Sequence, residues 1–336
     1  MAFCDQALDK PNPLIDKECI LEPEVIRSGR WMATVAGPQR NAYRMNEALR
    51  IQARGEDLWH AGAVGAWLAY EDIHTRKVLD GLNGPLFNEL LQEIGYSDMD
   101  VVPMLLGAPI LGHLTTSGRG VPKDAKELES LDDLWSRRDS INKTILGELR
   151  ESDLDTEVMR LTQEEAVLGR VAEPQKVING QVKDLVCHRF GVQQGDKPRC
   201  IDNGTSNGAN PCTGTSERIR EHRLNYWYAI VAMLVTFGFL DLTTCKVDVN
   251  AAFRRVPILP AHRWAAGFVF WFMGAAWTST HYAAPFGFKG SVYAWERVSN
   301  ALWAICTQIL LLPLAKYVDD YYAVETQECI GDALLW

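Results

Sequence analysis

The sequence predicts an α+β fold in which a mainly helical N-terminal region precedes a mixed region of helices, short strands and polar loops. Three observations predict it. Apolar residues recur at helical spacing through residues 41–53, 58–79 and 123–149. Beyond Pro174 short β-branched runs alternate with turn residues. The 336 residues are 47% hydrophobic and 23% charged, which supplies an ordinary globular core and excludes a disordered, collagenous or coiled-coil molecule.

Taken in order, residues 1–35 mix Pro, Asp and Glu with little periodicity, and the segments 41–53 and 58–79 then predict helices. Pro103 and Pro109 interrupt an apolar stretch, and the cluster Thr115-Thr116-Ser117-Gly118-Arg119-Gly120 marks a loop and a boundary between residues 1–125 and 126–336. Leu128, Leu131, Leu134, Ile141, Ile145 and Leu149 predict an amphipathic helix or helix pair over residues 123–149, with its charges, Asp132-Asp133 included, on a solvated face. Lys176-Val177-Ile178 reads as a short β run and residues 204–211 as a long polar loop. The longest apolar runs, 226–240, 264–277 and 301–315, are each at most 15 residues, too short to span a membrane, and predict helical core segments.

The N-terminus lacks the basic-then-apolar order of a signal peptide, which predicts an intracellular protein, cytoplasmic or nuclear, in a reducing compartment. Its eight cysteines form no C-x-x-C pair and have no His at finger spacing, so a structural zinc site is not expected. The net charge of −9 is uneven: residues 1–180 hold 20 Lys+Arg against 30 Asp+Glu, and residues 181–336 hold 14 against 13. A nucleic-acid partner would therefore have to be held by local basic groups, because the field of an acidic protein repels phosphate.

The strongest local signal is Lys316-Tyr317-Val318-Asp319-Asp320-Tyr321-Tyr322-Ala323-Val324, two carboxylates between short aromatic and β-branched runs, which predicts a hairpin with both Asp at the turn. Adjacent like charges repel, and Asp-Asp lacks the Gly that two-residue turns favour, so a divalent cation would rationalise the pair; an exposed acidic turn is the plain alternative. Lys246-Val247-Asp248 reads as a strand ending at Asp248 and turning toward a helix, with Asp248 either a cap or a ligand. If that strand lies beside the hairpin, three carboxylates converge, enough to hold two Mg²⁺ ions for in-line phosphoryl transfer.

Four stretches then fall in a telling order: Lys197-Pro198-Arg199-Cys200-Ile201-Asp202 with Asn210 after it; Asp248-Val249-Asn250-Ala251-Ala252-Phe253 running on through Arg254-Arg255; Pro285-Phe286-Gly287-Phe288-Lys289-Gly290-Ser291; and Tyr317-Val318-Asp319-Asp320. In order and spacing (39 positions from Asp248 to Gly287, 32 from Gly287 to Asp319) the chain resembles the fingers and palm of a reverse transcriptase. The likeness covers roughly residues 130–336, is closest to retrotransposon-type enzymes, and in its Pro-Phe-Gly form looks more like tyrosine-recombinase retroelements than retroviral enzymes. It implies a right-hand polymerase fold with an antiparallel palm sheet and packed helices. It leaves residues 1–125 without a role and no sequence for a thumb or RNase H domain, so the chain is expected to be a fragment.

The resemblance assigns roles. Asp248, Asp319 and Asp320 would be the catalytic residues and ligands of two Mg²⁺ ions (Mn²⁺ as a substitute), which activate the primer 3′-hydroxyl and neutralise the triphosphate. Lys197 and Arg199 would clamp the incoming dNTP, Arg as a fork and Lys as a point charge. Val249, Phe253, Phe286 and Gly287 would line the nucleotide site, with Phe253 excluding a ribose 2′-hydroxyl. Lys289, Ser291 and Arg254 would meet an RNA or DNA template and its primer. The implied activity is RNA-directed DNA synthesis. The alternatives are an inactive retroelement fragment that keeps nucleic-acid binding, and an RNA-dependent RNA polymerase, which Phe253 and the Tyr-Val-Asp-Asp form disfavour.

Overall fold

The computed structural model describes residues 19–195 and 197–329; the readings of residues 1–18, Cys4 among them, lie outside these. Helix α1 (Pro23–Thr34) forms where little periodicity was expected, and α2 (Gly37–His60) follows it. Each carries proline in its first turn, where a missing N–H costs nothing. The helix expected over residues 58–79 is broken into α2's last turn and two short pieces, Ala63–Leu68 and Ile73–Val78. Gly62, at φ +75°, starts the first piece, and the Asp72 carboxylate caps the second by accepting from the N–H groups of His74 and Thr75 at 2.9 and 3.3 Å. Helix α3 (Gly84–Glu93) comes next.

The amphipathic segment forms helix α4 (Leu131–Glu148) only from residue 131, where the Ser130 hydroxyl accepts from Asp133 N–H at 3.3 Å; α5 (Asp155–Val167) follows. Strands β1 (Val186–Gln194) and β2 (Lys197–Asp202) make an antiparallel hairpin. Helix α6 (Leu224–Thr236) and β3 (Leu242–Asp248) follow. The run 264–277, expected to be helical, is instead mostly a hairpin of β4 (Gly267–Phe272) and β5 (Ala275–Thr280). Phe268 and Phe270 point into one core cluster while Val269 and Trp271 point into another. A strand buried on both faces shows no apolar–polar alternation, so its run mimics a buried helix. Helix α7 (Lys289–Gln308) stops short of the apolar run's end, and β6 (Leu314–Tyr317) and β7 (Asp320–Thr326) close the order.

The architecture is α+β. One sheet has the order Gln175–Lys176, β5, β4, β1, β2, with β4 and β1 parallel and the other pairs antiparallel. A second sheet, which carries the acidic residues, has the order β6, β7, β3 and is antiparallel throughout, and two two-stranded pairings, Gly112–His113 with Thr213–Gly214 and Val121–Pro122 with Glu217–Arg218, lie apart from both.

The N-terminal helices share the core of this second sheet: Val25, Met32 and Leu91 pack in one cluster with Trp303, Tyr321 and Val324. Polar contacts bind the same surfaces. Glu325 on β7, fully buried, accepts from Arg40 at 2.9 Å and Arg44 at 2.5 Å, both on α2. Arg44 also donates to the carbonyls of Leu310 and Leu311 at 3.0 and 3.1 Å, holding the link between α7 and β6. Among the described residues no helix is long and apolar enough to cross a membrane.

Candidate active site

Strand β3 ends at Asp248, and its pairing with β7 sets Asp248 directly opposite Asp320. Strand β7 continues that register for seven residue pairs, which fixes the meeting of two carboxylates 72 positions apart in sequence. Val249 N–H donates to the Asp319 carbonyl at 3.0 Å, tying the loop after β3 to the hairpin tip. One oxygen from each of Asp248, Asp319 and Asp320 lies within 4.8 Å of the others, Asp248 exposed and the other two half-buried. The convergence expected of the three residues is therefore present. The tip differs from expectation: Val318 and Asp319 form the two-residue turn, while Asp320 pairs with Tyr317 and opens β7. A turn residue cannot also sit in the ladder, and pairing with β3 claims Asp320 for the strand.

Val318 takes φ +56°, a conformation in which a β-branched residue is strained by about 1–3 kcal/mol. Three groups hold it there. The Trp295 indole N–H and the Ser299 hydroxyl, both on α7, donate to its carbonyl at 2.8 and 2.9 Å. Glu221 accepts from its N–H at 3.2 Å. Behind Glu221 lies Lys316, fully buried, bonded to both oxygens of Glu296 at 2.9 and 2.8 Å and to Glu221 at 3.4 Å. Burial pushes the Glu296 carboxyl above the usual carboxylate range, Lys316 opposes it and Glu221 adds to it. Ala251, three residues after Asp248, is also left-handed, at φ +56°. Both segments that present the carboxylates thus carry a non-glycine residue in a costly conformation.

The electrostatics suit a cation. Burial raises the pKa of Asp319, and the charges of Asp248 and Asp320 raise it further, while Arg199 works the other way. Asp320 is bonded by Lys246 at 2.8 Å and by the Tyr322 hydroxyl at 3.1 Å. Asp248 makes no side-chain hydrogen bond among the described residues, and the turn that follows β3 has no side-chain cap, so the capping role is not the one adopted. Three carboxylates offer only oxygen, the donor that hard divalent cations such as Mg²⁺ prefer, and the residues present fit such an ion.

The other site residues fall around this cluster. Lys197 and Arg199 lie two apart on β2, on one face, both exposed, and Arg199 is close enough to act on Asp319. Phe253 is buried on the short 3₁₀ turn Ala252–Arg255, its ring 5.0 Å from Phe286 and 6.2 Å from Trp295. Phe286 is the exposed ring of that stack, at 43%. Gly287 has φ +91°, and a Cβ there would lie 1.9 Å from the Asp202 carbonyl oxygen, so no other residue fits. Asn210 latches the turn: its amide donates to the Gly287 carbonyl at 2.9 Å and its oxygen accepts from Lys289 N–H at 2.8 Å. The exposed Lys289 spends its ammonium on the Asn210 carbonyl at 2.8 Å.

Two expected template or primer contacts are corrected. Ser291 is fully buried on α7, because the close approach of α7 to Ile110 at neighbouring Gly290 leaves no opening. Arg254 is buried and committed to Glu165 at 2.6 Å and to the Ala283 carbonyl at 3.0 Å. It belongs to an ion network that sequence reasoning did not assemble. Arg189 forks onto Asp202 at 2.8 and 3.0 Å and reaches Glu165 at 3.2 Å, and fully buried His281 lies between Asp202 and Arg254. Burial alone would raise Glu165, but Arg254 and Arg189 hold it at about 2. The network clamps β2, which carries Lys197 and Arg199, to the turn after Asp248. For Lys316 a signal did exist: a lysine after Leu310-Leu311-Leu312-Pro313-Leu314-Ala315 must find a buried partner. Which partner was not readable.

An apolar groove of about 460 Å³ borders the carboxylates, lined by Trp227, Tyr317 and Tyr322 among others, the last being the residue that bonds Asp320. No protein-family model matches the chain, and no curated protein matches it.

Proposed function

We propose that the chain is the core of an RNA-directed DNA polymerase of retroelement type, joining dNTPs to a primer 3′-hydroxyl. The observation that carries this reading is the register of β3 against β7, which brings Asp248, Asp319 and Asp320 within 4.8 Å of one another, with Arg199 of β2 acting on the same point. Asp248 and Asp319 would hold two Mg²⁺ ions, with Asp320 as ligand or close supporter. When bound, the ions lower the pKa of the attacking hydroxyl and neutralise the triphosphate. The residues of the chain supply the rest. Arg199 and Lys197 draw the triphosphate toward the cluster. Gly287 lets the backbone approach the nucleotide, and Phe253, behind Phe286, fills the space a 2′-hydroxyl would need.

Primer extension on an RNA template tests the reading. With Mg²⁺ and dNTPs the chain should add nucleotides, rNTPs should be used poorly, and Phe253→Ala should narrow that preference. Incorporation that is indifferent to the choice of sugar in both proteins would remove the role given to Phe253. A well-folded chain that adds no nucleotide would remove the proposal itself.

A further inference from the structure

A cleft of about 770 Å³ lies where three separate segments meet: the short helix Ile73–Val78, the end of α5 and the turn after Asp248. It gathers four cations, Arg76, Lys77, Arg170 and Arg255, and Asp80 is the one acid among the described residues lining it. In a chain of net charge −9 such a grouping is not expected from composition.

The cations are not consumed by the fold. Arg76, Lys77 and Arg170 make no side-chain hydrogen bond or ion pair among the described residues, and Arg255 uses only Nε, on the Asn250 carbonyl at 3.0 Å. The setting disfavours the charge of Arg170: burial lowers its pKa, and the charges of Arg254 and Arg255 lower it further, against Glu165. Four like charges held together with one acid in the lining are an unfavourable arrangement that an anion would relieve.

We propose that this cleft holds the phosphodiester backbone of a single nucleic-acid strand leading to the carboxylates. The cations come from an open surface on both walls, Arg76 and Lys77 on one and Arg170 and Arg255 on the other, which suits successive phosphates better than one compact anion. Val167 and Leu168 also line it and are exposed, at 84% and 54%. The cleft also reaches Asn250, two residues from Asp248. It gives the N-terminal region a function: Arg76 and Lys77 complete a strand path that the rest of the chain leaves half-built. The direction of that path rests on the polymerase reading; binding of the strand does not.

The test is fluorescence anisotropy with the full chain, a labelled 15-nucleotide single strand of U or dT, and EDTA in place of metal. Arg76→Ser with Lys77→Ser is compared with Lys126→Ser plus Lys143→Ser, which makes the same change in net charge at exposed sites elsewhere. Each phosphate contact on a single strand contributes about 0.7 to the slope of log affinity against log salt. Between 50 and 200 mM salt the fall in affinity of the Arg76/Lys77 double variant should therefore be about sevenfold smaller than the wild type's, while the control pair keeps the wild-type fall. Equal effects of the two pairs, or none from Arg76/Lys77 in protein with a wild-type urea midpoint, would overturn the proposal. Displacement of the strand by inorganic triphosphate at equal phosphate concentration would also overturn it, in favour of a compact-anion site. A chain inactive in extension that still binds through Arg76 and Lys77 would sink the polymerase reading and leave this one standing.

Discussion

Glu325 offers the sharpest test of how the N-terminal region is joined to the sheet that bears the carboxylates. Its carboxylate, fully buried on β7, answers Arg40 and Arg44 of α2. Burial lowers the pKa of Arg44 and Glu325 opposes that shift, but an arginine stays charged in either case. Glu325→Ala therefore leaves two buried guanidinium groups without their counter-charge, a loss of about 3–5 kcal/mol. With a urea slope of about 3 kcal/mol/M, the unfolding midpoint should fall by about 1 M or more. Because α1 and α2 share a core with α7 and β7, loss should appear as one transition that carries the N-terminal helices and this sheet together. The triple change Arg40→Met, Arg44→Met, Glu325→Leu should recover part of the loss by removing all three charges. Recovery stays partial because the carbonyls of Val35, Leu310 and Leu311 lose their donors. A midpoint shift below about 0.3 M for Glu325→Ala, or a separate early transition of the N-terminal helices, would refute the reasoning.

Three further outcomes follow from the geometry. Gly287→Ala should be among the most damaging single changes, costing more than about 3 kcal/mol in urea unfolding, because its Cβ would meet the Asp202 carbonyl and its φ is left-handed. Lys246→Met should tighten Mn²⁺ binding a few-fold by calorimetry, since the ammonium on Asp320 competes with the cation; weaker binding would mean that the lysine organises the site instead. The contribution of Glu165 and Asp202 to stability should be full above about pH 5 and fall as pH drops toward 2. The Glu165 carboxyl is depressed to about 2 and that of Asp202 lies below its ordinary value, so both contribute above their unfolded pKa near 4 and lose that contribution as the folded groups protonate. Urea midpoints at pH 5, 4 and 3 check this, and a midpoint that rises between pH 4 and 3 would contradict the network's role.

Much of the site was legible because it depends on local pattern. Asp248 at a strand end and Asp319 in a two-residue turn follow from β-branched runs and a turn between them, and only their adjacency needed the fold. The turn's exact placement was not legible, since the pairing of Asp320 with Asp248 is set by β3, far away in sequence. The β4–β5 hairpin was misread as helix because its apolar residues serve two cores. Helix α1 escaped notice because acidic and small residues interrupt its apolar face, and tertiary packing supplies most of its stability. The buried partners of Arg254, Lys316 and Glu325 were beyond sequence reasoning altogether. A charge declares that it needs a partner, but long-range packing alone decides which.

If, as proposed, the three converging carboxylates perform nucleotidyl transfer, single-nucleotide incorporation on a primed RNA template measures it most directly. Asp248→Asn and Asp319→Asn should each reduce the incorporation rate by at least about a thousandfold, about 4 kcal/mol of transition-state stabilisation, while keeping the wild-type urea midpoint. Wild-type incorporation that persists in either variant would contradict the account.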